Sequence, residues 1–589
     1  MYRPPLRDIK FVLEHVVDLE ALVKLPAYDH VDVGTVHGLL DEAGRFMSEV
    51  VAPTNRVGDT QGAIRNDDGT VTVPEEFAKA YQQYVAAGWN GIKSDQGYGG
   101  HGFPGVIGLA VQEMLTTANM AFSLCPMLTM SAILALTHHG TEEQKVTYLE
   151  KLISGEWTGT MVLTEPEAGS DLGALRAKAT PADDGTWRVS GTKIFITWGE
   201  HDMAENIVHL VLARAPDGPP GTKGISLFII PKFLPDADGR PGEANAVSCV
   251  SIEHKLGIHG SPTCVMAFDE AVGYLVGEVN DGMRAMFTMM NDARLHVGLE
   301  GLGITERAYQ LAAAHAAQRT QGRAVGASHV TATPIIEHPD VRRMLLTMKA
   351  YSEAMRGLLY DTARAIDLSH QHPDQSTRRH FHDRASLLTP VAKAWCTDLG
   401  VEMASLGVQI HGGMGFVEET GAAQYYRDAR IAPIYEGTNG IQGVDLVTRK
   451  LPLAGGEVVR SYLDELAGIC TELEAAGTEL ASVRRGLEQG VDQLRTATDW
   501  LLSRTDPNDA LAAATPYLRL FGTVAGGCYL ARQARAAVDG AGDDDFLAAK
   551  VATTRFYVDQ LLPQAFGLVP AATADASALF AVTTEMLGV

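Results

Sequence analysis

Apolar residues recur at three- and four-residue spacing through residues 36–51 and 106–120, between Gly and Pro breaks, which predicts an all-helical domain over residues 1–155. The period then changes. Segments 187–190, 207–212, 225–230 and 264–268 are short and rich in β-branched and aromatic residues, the pattern of strands. The connection Pro216-Asp217-Gly218-Pro219-Pro220-Gly221 is short and full of breakers, suited to neighbouring antiparallel strands, so residues 156–280 are predicted to form an inserted antiparallel β domain. Helical spacing returns in 283–290, 298–318, 341–359 and 387–406, predicting a bundle over 281–450. Residues 451–589 are Ala- and Leu-rich with periodic faces in 458–473 and 483–502, an additional C-terminal helical domain. The predicted fold class is α+β, mostly α, in four consecutive domains.

Composition narrows what such a chain does. With 46% hydrophobic and 20% charged residues over 589 positions it has the usage of an ordinary globular protein. The formal net charge of −24 repels phosphate backbones and anionic lipid, so neither nucleic acid nor a membrane surface is an expected partner. Six cysteines lie far apart with no Cys-x-x-Cys pair, which fits a reducing, cytoplasmic location. No run of about 18 consecutive apolar residues is seen, and the first residues lack the apolar stretch of a secretory signal. No metal site is expected: His370, His372, His380 and His382 lack a ligand spacing and read as a solvated loop around Pro373.

Hydrolase and phosphoryl-transfer signatures are missing, with no His-Glu-x-x-His, Gly-x-Ser-x-Gly or Gly-x-x-x-x-Gly-Lys. Gly97-Tyr98-Gly99-Gly100-His101-Gly102 has dinucleotide-loop spacing, but the polar, broken stretch before it denies a buried strand and the segment reads as a Gly-rich loop. Three other polar, Gly-rich segments remain: 163–171, 409–416 and 435–440. Each offers free backbone N–H groups suited to a pyrophosphate or a flat heterocycle, and each alone reads equally as a tight turn.

Together with Gly140-Thr141-Glu142-Glu143-Gln144-Lys145, Gly191-Thr192-Lys193-Ile194-Phe195-Ile196-Thr197, Lys255-Leu256-Gly257-Ile258 and Ile434-Tyr435-Glu436-Gly437-Thr438, these segments resemble the acyl-CoA dehydrogenase family over about residues 30–450. The extra C-terminal domain resembles that of longer bacterial members acting on fatty acyl-CoA and 3-methylthiopropanoyl-CoA. The resemblance implies non-covalent FAD, an acyl-CoA substrate, a trans-2-enoyl-CoA product, and electron-transferring flavoprotein as acceptor. Glu436 matches the catalytic base, while a helix-capping carboxylate is the alternative reading of that loop. Leu163, Thr164, Gly169, Ser170, Phe195 and Thr197 match flavin contacts. Arg319, Gln321, Gln409 and Gly413 match contacts that reach the neighbouring subunit's cofactor, which implies a homodimer, and Thr438 and Gly440 complete the set. Ser170, Arg294 and Gly437 match substrate contacts, with a helix-surface salt bridge as the other reading of Arg294. An oxidase using oxygen and a non-catalytic acyl-CoA-binding member are the alternatives. The chain departs from the family at Phe195, where Trp is common, at Gly322, where Phe is common, and at His259, where Arg is usual.

Overall fold

The computed structural model describes residues 2–326, 331–542 and 544–589. Two compact units emerge: one holds Ala43–His296 with Tyr2, the other Arg3–Glu42 with Val297–Val589.

In the first unit, helix α1 (Gly105–Ala118) ends where Asn119 turns to an extended backbone and accepts the Phe122 N–H with its side chain, starting helix α2 (Met120–His139). This Asn is an ordinary N-cap, and it converts one apolar stretch into two helices. Among the described residues, α2 alone is long and apolar enough to cross a membrane, contrary to the expectation that no stretch reaches that length. Ser123, Thr129 and Ser131 interrupt any continuous apolar run, which is why the sequence pattern hides it. Of its most apolar 18-residue window, 89% is buried inside the protein, and the Thr129 hydroxyl accepts the Gly159 N–H of the adjoining strand at 3.0 Å, so α2 serves as a core helix. Helix α3 (Glu142–Ser154) begins with a capping box of Thr141 and Gln144 and ends at Gly155.

A seven-stranded sheet follows, of β1 (Trp157–Val162), β2 (Lys178–Pro181), β3 (Trp187–Thr197), β4 (Asn206–Arg214), β5 (Ile225–Pro231), β6 (Val247–Ile252) and β7 (Thr263–Val276). Their order is β6-β7-β3-β2-β4-β1, with β5 paired to both β7 and β4. The predicted antiparallel domain is corrected here to a mixed sheet. β4 and β5 pair antiparallel across the short 216–221 connection as expected, but β1 runs parallel to β4 from Trp157↔Asn206 to Val162↔Val211. The chain makes β2 and β3 between those partners, so no hairpin constrains them, and β1 is buried throughout, as parallel strands usually are.

Helix α4 (Gly282–Gln318) merges two of the predicted helical segments. In the second unit it is followed by α5 (Pro339–Gln371) and α6 (Gln375–His411), joined by only three residues. The predicted histidine loop shrinks accordingly: His370 ends α5, His380 and His382 lie on α6, and the Asp374 side chain caps α6 by accepting from Thr377. Later helices include α7 (Asn439–Asp445), α8 (Glu457–Glu472), α9 (Ala481–Leu502) and α10 (Pro507–Ala537). The last docks on the bundle through Tyr529, whose hydroxyl donates to buried Asp361 at 2.6 Å; the same carboxylate takes Arg384 at 2.6 Å.

Where α4 and α6 cross, Gly301 and Gly400 face each other; a Cβ on Gly301 would lie 2.1 Å from the Cys396 carbonyl oxygen. That crossing sets the depth at which Glu300 and Lys393 sit. Gly301→Ala is expected to spread the helices and lower the melting temperature of the holoenzyme by several degrees, a cost of about 1–3 kcal/mol; an unchanged melting curve would show that the helices separate freely.

Candidate active site

The turn that carries Glu436 has an unusual backbone. Glu436 and Gly437 are both left-handed, at φ 55° and 80°. Glycine adopts this freely, but a glutamate there is strained by about 1–3 kcal/mol, which the surroundings must offset. They do so with a dense set of hydrogen bonds. Gln442 Nε2 donates to the carbonyls of Glu436 at 3.3 Å and Gly437 at 3.2 Å, and the Asn439 N–H donates to the Pro433 carbonyl at 3.0 Å. The Asn439 side chain is tied to α6: its amide donates to Asp398 at 2.7 Å and Thr397 at 2.9 Å, and its oxygen accepts from Lys393 at 2.8 Å. Thr438 caps α7 by accepting the Ile441 N–H at 3.2 Å, leaving its hydroxyl proton free to donate elsewhere. The cap of α7 is therefore Thr438. Glu436 itself is half-buried.

Two residues that the sequence reading left without a role complete this turn. The hydroxyl of Tyr435 donates to Glu300 Oε2 of α4 at 2.5 Å, and Glu300 is 1% exposed. Burial pushes the Glu300 carboxyl up to about 8, with the Glu436 charge adding to that rise and the Tyr435 hydrogen bond and Lys393 opposing it. Glu300 is the one charged residue in the stretch 297–305, and that isolation was the signal available for it.

In the first unit, Leu163 and Thr164 leave β1 and enter a tight turn in which Glu165 and Ala168 exchange both backbone hydrogen bonds, at 3.1 and 3.0 Å around Pro166. The turn leaves Gly169 and Ser170 exposed, with open space where a Gly169 Cβ would stand. Lys193 on β3 fastens its base: the ammonium, fully buried, donates to the Leu163 carbonyl at 2.9 Å and pairs with Glu165 at 2.8 Å. Burial pulls Lys193 down to about 8, partly offset by Glu165, so the ammonium is charged at neutral pH. Two residues on, Phe195 is left-handed at φ 59° and 58% exposed, presenting much of its aromatic face; Thr197, half-buried, ends the same strand.

Arg294 lies in the part of α4 that belongs to this unit, and it is 8% exposed, which excludes the surface salt bridge considered for it. Its guanidinium donates to Asn291 Oδ1 at 3.4 Å. Beside it, Asp292 pairs with Lys93 at 2.8 Å and accepts the Ser131 hydroxyl at 2.9 Å; burial raises this carboxyl, but Lys93, His296 and Ser131 outweigh it and hold it near about 2.

The remaining candidates are in the second unit. Arg319 and Gln321 are exposed at the end of α4, where Arg319 Nη2 donates to Gln321 Oε1 at 3.2 Å, and Gly322 has φ 64°. A side chain at this φ would be strained, so a glycine suits the turn. Gln409 and Gly413 are exposed around the end of α6, followed by the exposed Met414 and Phe416. His259 does local work: its ring lies 3.1 Å from Asp59 and 2.9 Å from the Lys255 carbonyl.

These features fit a large planar cofactor with a phosphate tail. In the first unit, a largely exposed aromatic face on a strained strand and a Gly-Ser turn with open space above it suit a flat ring; in the second, taken by itself, exposed Arg and Gly positions at helix ends suit a phosphate tail.

The comparisons with known proteins point the same way. Residues 36–156, 160–271 and 280–451 match the N-terminal, middle and C-terminal domains of acyl-CoA dehydrogenase, and 462–583 match the domain described as acetyl-CoA dehydrogenase C-terminal like. The chain is 47% identical over 566 residues to the 3-methylmercaptopropionyl-CoA dehydrogenase of Ruegeria pomeroyi, covering 95% of this chain and 96% of that one. It is 36% identical to a butyryl-CoA dehydrogenase of Syntrophomonas wolfei, covering 98% of each. An acyl-CoA dehydrogenase complexed with FAD from Bacillus anthracis shares the fold at a TM-score of 0.74 and 21% identity, over 95% of this chain and 89% of that one. The chain belongs to the acyl-CoA dehydrogenase family of flavin-dependent oxidoreductases, whose cofactor is FAD.

Proposed function

We propose that this enzyme oxidises a short, linear acyl-CoA thioester across its α,β bond, with 3-methylthiopropanoyl-CoA and its near-isostere pentanoyl-CoA as the best substrates and Glu436 as the base. The observation that carries the substrate class is the near full-length match to a relative named for 3-methylmercaptopropionyl-CoA, with butyryl-CoA dehydrogenases next. Both names describe unbranched acyl groups with four or five chain atoms.

In this reading the Glu436 carboxylate takes the proton from the carbon next to the thioester carbonyl, while the Glu436 N–H donates to the carbonyl oxygen as negative charge develops there. FAD, when bound, supplies the acceptor for the hydride from the β carbon. Phe195, Thr197 and the Leu163–Ser170 turn orient the flavin ring, and Arg294 and Ser170 serve the substrate. Arg319, Gln321, Gln409 and Gly413 serve the cofactor of a second copy in a homodimer, a reading supported by their exposure and by exposed Phe416 beside them. Electrons leave to electron-transferring flavoprotein. A cytoplasmic location is supported by six buried, unpaired thiols.

Anaerobic titration of the yellow enzyme with butyryl-, pentanoyl-, 3-methylthiopropanoyl-, octanoyl- and palmitoyl-CoA tests the substrate class. Bleaching of the flavin at the lowest concentrations by the four- and five-atom chains is expected. Preferential bleaching by palmitoyl-CoA would reject the short-chain reading. Rapid reoxidation of the bleached enzyme by oxygen, with no gain from added electron-transferring flavoprotein, would reassign the acceptor.

A further inference from the structure

Glu300 is a fully buried carboxyl that forms no ion pair among the described residues, yet it lies against the residue that precedes the proposed base. Its Oε2 accepts from the Tyr435 hydroxyl, and its Oε1 has no protein partner. The titratable groups facing it are Tyr435, Glu436 and, from α6, Lys393. Lys393 is also buried and donates to Asn439, three residues beyond the base. Thus the strained Glu436–Gly437 turn is gripped on its C-terminal side by Asn439 and Gln442, and on its N-terminal side by Tyr435 hanging from Glu300.

We propose that Glu300 is a positioning residue for the reaction: it anchors Tyr435 and so holds the Glu436 turn in place, and because it does so as a neutral acid it keeps a negative charge away from the site, a charge whose appearance limits the enzyme at alkaline pH. The proposal rests on the assignment of Glu436 as base. Its physical logic has three steps. First, a left-handed glutamate is held only if both ends of the turn are fixed, and the Tyr435 hydroxyl bond is the longest-range tie on the N-terminal side. Second, a buried carboxyl that forms no ion pair of its own is stable in its neutral form, and the rise of Glu300 to about 8, against the opposing pull of Lys393, agrees with that. Third, a charge on Glu300 would stand near the Glu436 N–H and oppose the negative charge gathering on the thioester oxygen, so the rate falls as Glu300 loses its proton.

The test is the anaerobic stopped-flow rate of flavin reduction by a bleaching acyl-CoA, followed from pH 6 to 10, for wild type, Glu300→Gln, Glu300→Ala and Tyr435→Phe. A glutamine keeps an oxygen that accepts from Tyr435 but does not titrate. Glu300→Gln is therefore expected to match wild type at pH 7 and to lack the fall near pH 8. Glu300→Ala and Tyr435→Phe are expected to retain FAD and to reduce it about 10-fold to 100-fold more slowly, the penalty of a misplaced catalytic group. The proposal is overturned if Glu300→Gln is as slow as Glu300→Ala at pH 7, or if its alkaline fall persists unchanged. Should the alanine variant fail to fold, the pH profile of the glutamine variant decides alone. Glu436→Gln run in parallel separates the two assignments: near-normal reduction in that variant removes the base role, whatever the Glu300 variants do.

Discussion

Glu436→Gln is expected to give a folded, yellow enzyme whose flavin is reduced by acyl-CoA about 10³- to 10⁴-fold more slowly than in wild type, the scale of a lost general base. The substitution is close to isosteric. It leaves the left-handed backbone, the N–H proposed to meet the thioester oxygen, and the Gln442 and Asn439 bonds that hold the turn. What it removes is the one atom set able to accept a proton. Substrate affinity should change little, because the carbonyl donor remains, so the loss belongs in the rate of reduction and not in the concentration giving half-maximal bleaching. Stopped-flow absorbance of the flavin reads both at once. A rate within tenfold of wild type would remove Glu436 from the base role. Loss of FAD in this variant would instead assign the carboxylate to cofactor binding or to the turn itself.

Elements with long, regular patterns were legible from the chain alone. The α4, α5 and α6 helices follow spacing of three and four, and the four predicted strand segments all fall inside observed strands. What periodicity cannot supply is partner choice. β1 pairs in parallel with β4 because the chain makes two strands before returning, and that information lies in packing, not in either strand. Helix α2 was hidden for the opposite reason: its hydroxyl residues break the apolar run, yet each bonds within the core, as Thr129 does to β1 and Ser131 to Asp292.

The site divides along the same line. Motif residues were nameable because short segments resemble a family, but their supports were not. Lys193 sits inside a quoted motif without a role, and only the fold shows it reaching back 30 residues to Leu163. Glu300 meets Tyr435 across 135 positions of sequence, a distance at which no local spacing carries a signal. Supports of this kind are side chains whose chemistry runs against their surroundings: a charge on an apolar stretch, or an ammonium that is itself fully buried.

That contrast makes Lys193 a sensitive position in the first unit. Lys193→Met keeps the length and apolar stem but deletes the ammonium that joins the Leu163 carbonyl to Glu165. Glu165 remains 7% exposed, still accepting the backbone N–H groups of Arg176 at 2.7 Å and Ala177 at 2.9 Å, but without its cation. An unpaired buried carboxylate of this sort costs about 3–5 kcal/mol, far more than the ion pair itself contributes. At present burial raises the Glu165 carboxyl, but Lys193 and the two N–H groups outweigh it and hold it below its usual range. Its contribution is therefore present at neutral pH and lost as pH falls through that lowered value; in the Met variant the unpaired carboxyl moves up, so the penalty is full at neutral pH and is relieved as falling pH protonates it. The Leu163–Ser170 turn should loosen with it, since both its anchors at β3 depend on the same few atoms: Lys193 to Leu163, and the Ile194 N–H to Thr164 at 2.9 Å. The expected result is a variant with a markedly lower melting temperature that releases FAD on gel filtration, where wild type retains it. Lys193→Arg separates charge from shape: a buried pocket cut for an ammonium admits the larger guanidinium poorly, so the charge alone should not restore retention. A Met variant that melts with wild type and keeps its flavin would show that Glu165 is held by its backbone donors alone, and that the turn needs no cation beneath it.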